Sequence, residues 1–196
     1  VTAEFVRLIG ISSALHDIGK VGIEDSILRK PGPLTPAQRK RMETHAMIGA
    51  ECLRGIERRL GGSNFLQMAR EITLAHHERW DGTGYPDRLA GEAIPLAARI
   101  VAVADVYDAL SSVRVYKERH DHQQCLAYIT GQAGKQFDPQ IVEVWQGIES
   151  RFRAIAKRWR DRSTPAAVQV EFADRSGADQ DARLDDGVLA ETATDA

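Results

Sequence analysis

The sequence marks the beginnings of helices repeatedly and marks strands nowhere. Thr35 precedes Pro36 and lies three residues before Gln38, which supplies a cap for the first free amides, a proline where no amide is needed, and the reciprocal partner of a capping box. Asp121 with Gln124 repeats the box, and Asp138 before Pro139 repeats the cap and first-turn pair. Between these signals the apolar residues keep a helical period. Phe5, Leu8, Ile9, Ser12, Leu15 and His16 form a first stripe, predicted to end near Lys20 between Gly19 and Gly22. The helix predicted from 36 to about 54 carries Met42, His45, Ala46, Gly49, Cys52 and Leu53 on one face. A third, from about Phe65, carries Met68, Ala69, Ile72, Ala75 and His76. The fold class that follows is all-α, a helical bundle.

Two stretches interrupt the pattern. Residues 79–95 hold Gly82, Gly84, Gly91, Pro86 and Pro95 and read as a long ordered loop, the kind that carries function in a compact domain. From Thr164 onward the apolar period disappears and Asp, Ala, Gly and Thr accumulate, so residues 161–196 are expected to be an acidic, disordered tail behind a domain over 1–160. That tail holds nine acidic and three basic side chains, leaving 23 basic against 19 acidic upstream. A body so mildly basic suits an anionic ligand but lacks the dense basic stripe of a duplex-DNA binder. Cys52 and Cys125 match no metal or redox spacing, no apolar run is long enough to span a membrane, and no signal core is present, so a reducing cytoplasm is the expected compartment. Because the chain opens on Val1, almost inside a periodic segment, it is expected to be a fragment.

Six residues able to bind metal stand out: His16, Asp17, His45, His76, His77 and Asp105. Neighbouring residues on a helix diverge by about 100°, so the pairs His16-Asp17 and His76-His77 can reach two metals, with a carboxylate between them. Imidazole and carboxylate together suit iron, manganese or zinc, and paired metals serve in-line displacement at phosphorus. Asp105 and Asp108 sit on the apolar helix LAARIVAVADVYDAL, where two buried carboxylates need compensation. Asp108 reads equally as a group orienting a histidine and as a buried acceptor. Each piece has a plain alternative. A lone His45 would be a core histidine, His16-Asp17 and His76-His77 polar helix ends, and Arg114 and Lys117 solvated charges. The ordered set argues against those alternatives.

These residues resemble a known family. His16-Asp17-Ile18-Gly19-Lys20 resembles the signature of the HD phosphohydrolase superfamily, and HHERWDGTGYP at 76–86 is similar to the hallmark of its HD-GYP subgroup. Similarity continues through KPGPLT at 30–35, His45, residues 94–110, RVYK at 114–117 and FDP at 137–139. The resemblance implies an HD-domain-like helical bundle with an ordered GYP loop and a centre of two or three divalent transition metals, iron or manganese. It also implies hydrolysis of cyclic di-GMP to linear pGpG or GMP. It makes His16, Asp17, His45, His76, His77 and Asp105 metal ligands, with Asp17 bridging and Asp17 and Lys20 catalytic. It gives Lys20, Gly84, Tyr85, Pro86, Arg114 and Lys117 to the substrate. A further ligating His, sometimes with a Glu, lies upstream in the family, as do regulatory domains. Cyclic GMP-AMP is an alternative substrate. The other functional class is an inactive HD-GYP module that binds the nucleotide or docks a partner such as a diguanylate cyclase.

The last helix, predicted over 139–160, spaces Ile141, Trp145, Ile148, Phe152, Ile155 and Trp159 at intervals of four and three. Packing within its own domain is the plainer expectation, and a homodimer through a coiled-coil seam is the sharper one.

Overall fold

Helix starts fall where the sequence places caps. The structure, a computed structural model, describes residues 1–112 and 120–163, with side chains as far as Arg158. Helix α1 spans Ala3–Ser12, with Thr2 Oγ1 accepting from the Phe5 amide. The predicted continuation to Lys20 is corrected. Two 3₁₀ turns, Ser13–Leu15 and Ile18–Gly22, replace regular helix, and His16 and Asp17 stand between them. The cause is close contact with the next long helix. A Cβ on Gly19 would lie 1.9 Å from the His45 carbonyl oxygen and 2.5 Å from the Gly49 amide. Only a bare backbone fits there.

A short helix, α2 (Asp25–Leu28), leads to α3 (Pro36–Leu60), which opens on the expected Thr35–Gln38 capping box and outruns its predicted end near 54. Gly61, at φ 87°, terminates it. Its buried face is Met42, His45, Ala46, Gly49, Ala50 and Leu53. Cys52 is exposed, a correction that follows from its angular place just past the edge of the stripe. Helix α4 (Asn64–Ala75), capped by Ser63, packs on α3 and α1 through Ala69, Ile72 and Thr73. The loop that follows contains one 3₁₀ turn, Gly91–Ala93, before Pro95 opens α5 (Leu96–Ser111).

Helix α5 is the spine. Its first turns join Ala97 and Val101 to Ile72, Phe5, Ile9 and Met68, while its last turns join Val106, Tyr107 and Leu110 to the helices that follow. Asp105 is half-buried, but Asp108 is exposed and among the described residues its carboxylate accepts only from Ser112 Oγ at 3.4 Å, so it is neither a buried acceptor nor the partner of a described histidine. Three positions along a helix turn a side chain by about 300°, enough to move it from the core face to its edge.

Helices α6 (His122–Gly131) and α7 (Pro139–Gln146) start on the expected Asp121 box and Asp138 cap. The single helix predicted over 139–160 is corrected to two, α7 and α8 (Glu149–Ser163). Gly147 is a poor helix former, and at this point the bonds tighten from i+4 to i+3, the Ile148 amide donating to the Trp145 carbonyl. The expected seam is therefore interrupted. Trp145 is buried, and Ile141 and Phe152 pack on the same core with Phe137 and Ile129, while Ile155 is exposed. Trp159 falls beyond the described side chains. Among the described residues there is no strand, only an isolated bridge between Ala133 and Phe137, and no helix is long and apolar enough to cross a membrane. The expected disorder of the tail concerns residues that, from 164 on, lie outside those described.

Candidate metal centre

The first long helices deliver their polar residues to one point. His45 comes from the middle of α3, His76 caps the C-terminus of α4, His77 follows it, Asp17 stands between the two 3₁₀ turns, and Asp105 projects from α5. One ligand atom from each of Asp17, His45, His76 and His77 lies within 4.8 Å of the others. His16 joins this group on its open side, its Nε2 at 3.2 Å from Asp17 Oδ2 and 3.6 Å from Asp105 Oδ1. All six residues are thus brought together.

Backbone carbonyls fix the tautomers. Nδ1 of His16 lies 2.8 Å from the Ser13 carbonyl, that of His45 2.7 Å from Met42, and that of His76 3.0 Å from Thr73. A carbonyl only accepts, so each Nδ1 carries a proton; the Nε2 of His45 and His76 keeps its lone pair for the cluster, and that of His16 is turned to the two carboxylates. In the interior, Nε2 of His45, His76 and His77 and Oδ1 of Asp17 are buried without a hydrogen-bond partner. Four such atoms turned on one another are costly unless a cation satisfies them, and their chemistry, imidazole nitrogen with carboxylate oxygen, is that of a divalent transition-metal site. The residues fit a metal.

The electrostatics divide in the same way. Burial pushes the His45 pKa down, that of His76 to about 4 and that of His77 well below its usual range, so all three are neutral imidazoles at neutral pH. His16 differs. Burial would lower it, but hydrogen bonds to Asp105 and Asp17 outweigh burial and raise it to about 10. An imidazole nitrogen facing two carboxylates needs a positive charge between them, a proton or a metal. Burial disfavours the Asp17 carboxylate, yet His16 and Lys20 hold its pKa far below the ordinary range. Its two oxygens serve different neighbours: Oδ1 faces His45 at 3.4 Å and His76 at 3.8 Å, while Oδ2 faces His16 and the Lys20 Nζ at 2.9 Å.

The loop after His77 folds back over the cluster. The Tyr85 ring stacks on His77, with centroids 4.8 Å apart and planes 26° from parallel, and the Tyr85 amide donates to the His77 carbonyl. Gly84 permits this, because a Cβ there would lie 2.4 Å from the Arg79 nitrogen and 2.6 Å from the His77 oxygen. Pro86 lines an open groove beyond Tyr85. Arg114 and Lys117 lie outside the described residues.

From sequence, Glu78 reads as part of a polar helix end. It is buried, its Oε1 accepts from the Asp87 amide at 2.7 Å and its Oε2 from the Leu89 amide at 3.1 Å, and so it closes the loop into a ring. Burial raises its pKa and these amide bonds oppose the rise. The loop's far side is tied down as well. The Trp80 and Asp81 amides donate to the Gln136 and Lys135 carbonyls, and Arg99 lies over the Trp80 ring while pairing with buried Asp138 at 2.7 Å. An acidic residue beside two histidines is the available signal for Glu78.

Comparison with known proteins agrees with this geometry. The HD domain family matches residues 2–141. A cyclic di-GMP phosphodiesterase of Vibrio cholerae is 51% identical over 160 residues, which cover 82% of this chain and 32% of that protein. The cyclic di-GMP phosphodiesterase response regulator RpfG of Xanthomonas campestris pv. campestris is 52% identical over 140 residues, 71% of this chain and 36% of that one. The chain therefore spans about a third of the length of these relatives. In fold it is similar to the crystal structure of a cyclic GMP-AMP-specific phosphodiesterase of V. cholerae, with a TM-score of 0.56 at 22% identity over 82% of this chain and 44% of that one.

Proposed function

The chain belongs to the HD domain family, and on that footing we propose that it is the HD-GYP-type catalytic portion, residues 1–160, of a metal-dependent phosphodiesterase that hydrolyses cyclic di-GMP to pGpG or GMP. The observation that carries this reading is the convergence of four buried, unpartnered donor atoms beside Lys20, in a chain half identical to proteins named for that activity.

His16, Asp17, His45, His76, His77 and Asp105 would hold two or three ions of iron or manganese. Bound divalent metals supply the Lewis acidity that phosphodiester hydrolysis needs. The protein's own contributions are separate. Asp17, with its oxygens turned to two sets of histidines, is suited to bridging, and its ion pair with Lys20 places a compact positive charge at the edge of the cluster, where a phosphate oxygen is to be met. Tyr85 covers His77 and narrows access by water, and Glu78 holds the loop that carries Tyr85. Arg114 and Lys117 are assigned the substrate's phosphates from their place in RVYK, which matches the family's pattern, and their chemistry suits that role. The chain is placed in a reducing cytoplasm, a setting in which thiols such as those of Cys52 and Cys125 stay free.

The test is to load the chain anaerobically with ferrous iron or manganese and follow cyclic di-GMP by chromatography, with His76→Ala as the control. Metal-dependent appearance of pGpG or GMP, lost in the control, is expected. Bound metal and an intact fold with no turnover would replace the enzyme by a nucleotide-binding module.

A further inference from the structure

A groove of 660 Å³ lies between the first half of α3 and the GYP loop. Lys40 and Glu43 line it from the helix, and Arg88 and Tyr85 from the loop, with Met47 adding apolar surface. Among the described residues the side chains of Lys40, Glu43 and Arg88 make no hydrogen bond or ion pair, although they share the cavity and differ in sign. Glu43 is half-buried, and its neighbour Thr44 is engaged with Arg41 both as donor and as acceptor. That leaves Glu43 as the uncommitted acceptor of the wall.

Arg88 adopts φ 56°, a left-handed conformation that a bulky residue resists. Glu78 accepts from the amides on either side of it, Asp87 and Leu89, and so over-determines the turn that sends Arg88 to the groove. Since Tyr85 stacks on His77, the groove begins one aromatic ring away from the metal cluster. Lys20 stands on the other side of that cluster's Asp17, its Nζ 2.9 Å from Asp17 Oδ2.

We propose that this groove receives one guanine of the cyclic dinucleotide, with Glu43 reading its Watson–Crick edge and Lys40 and Arg88 offsetting the ligand's charge; the assignment rests on the function proposed above. Guanine presents two adjacent donors, N1–H and the 2-amino group, and a carboxylate accepts both. Adenine presents a donor beside an acceptor, and the acceptor repels the carboxylate. A single guanine pocket also fixes the direction in which the ring lies. Cyclic GMP-AMP then enters one way round, and only one of its two phosphodiesters meets Lys20 and the cluster.

The test compares the manganese-loaded chain with its Glu43→Gln and Glu43→Ala variants on cyclic di-GMP, 3′3′-cyclic GMP-AMP and cyclic di-AMP, resolving the two linear isomers of GMP-AMP by chromatography. Wild type should refuse cyclic di-AMP and release one isomer. Both variants should keep their metal while kcat/KM for cyclic di-GMP falls by roughly 10- to 100-fold. Glu43→Gln, which offers one acceptor and one donor, should gain on cyclic di-AMP and release both isomers, a reversal that a structural role for Glu43 would not produce. Equal isomers from wild type, or variants within twofold of it on cyclic di-GMP, overturn the proposal. Calorimetric binding of the same ligands separates it from the parent reading. Binding weakened in the variants without turnover in wild type keeps the groove and removes the hydrolase; no binding of any dinucleotide removes the groove.

Discussion

Asp105 and Tyr107 stand two residues apart on α5 and face opposite kinds of interior. Asp105 turns toward the imidazole cluster, where three Nε2 atoms and a carboxylate oxygen are buried without protein partners. Tyr107 turns toward Trp145 and Phe152, with ring centroids at 5.9 Å and 5.4 Å, and its hydroxyl meets His122, which in turn meets Glu149. Of that aromatic group only the Trp145 Nε1 goes without a partner. Among the described residues one end of the molecule turns four unpartnered polar atoms on one another, where a cation can satisfy them together; the other leaves only isolated atoms, Trp145 Nε1 and His120 Nε2, without a partner and supplies stability. Burial alone therefore does not identify a core. What a buried polar atom faces does.

Substitutions in the two regions should separate these roles. The largest effect is expected from His77→Ala, which should reduce metal content and lower kcat/KM by at least about a hundredfold. Because the wild-type cluster is frustrated without metal, chelation should lower the thermal midpoint of wild type more than that of the variant. Next, Phe137→Ala in the aromatic region should cost about 3–5 kcal/mol in chemical denaturation while leaving metal stoichiometry unchanged. Loss of metal in that variant would show that the two regions are one unit.

Acid should act most strongly on the cluster, where the largest shifts toward acid lie. His76 has a folded pKa of about 4, against about 6.5 in an unfolded chain, so between these values the unfolded state binds the proton and the folded state does not. Stability of the metal-free chain should fall as pH drops from about 6.5 to about 4, His76 contributing about 3 kcal/mol. His16 has the opposite sign, its contribution complete below pH 6.5 and fading as pH rises toward about 10. A thermal-midpoint profile with its maximum near pH 6.5 is expected, and a flat one would contradict both assignments. Smaller again, Glu78→Gln replaces one acceptor by a donor facing an amide, and a cost of about 1–3 kcal/mol, read as a higher KM with metal content intact, is expected. Asp108→Asn, on the exposed edge of α5, should change stability by less than about 0.5 kcal/mol.

What is legible in the sequence is what depends on near neighbours. Thr35, Asp121 and Asp138 announce helix starts because a cap is satisfied within three residues. The cluster is legible for a related reason: histidine and aspartate on apolar faces are expensive, and packing alone does not account for an ordered set of six. The features that escape sequence reasoning depend on distant chain. Glu78 binds amides nine and eleven residues away whose positions are set by the folded loop. The heptad-like spacing over 141–159 hides a break because periodicity ignores the weakness of a single glycine, Gly147. Cys52 and Asp108 are misplaced by one angular step each, the margin by which a stripe has an edge.

Where Gly19 lies against α3, main chain meets main chain, and a Cβ on Gly49 would also crowd the Gly19 nitrogen at 3.0 Å. The separation of Asp17 from His45 is thus set by covalent dimensions and not by side-chain volume. The gauge of the cluster should therefore be insulated from drift in the apolar interior: exchanging Leu53, Ile72 or Met42 for residues of other shapes is expected to cost stability while leaving the Asp17–His45 spacing unchanged.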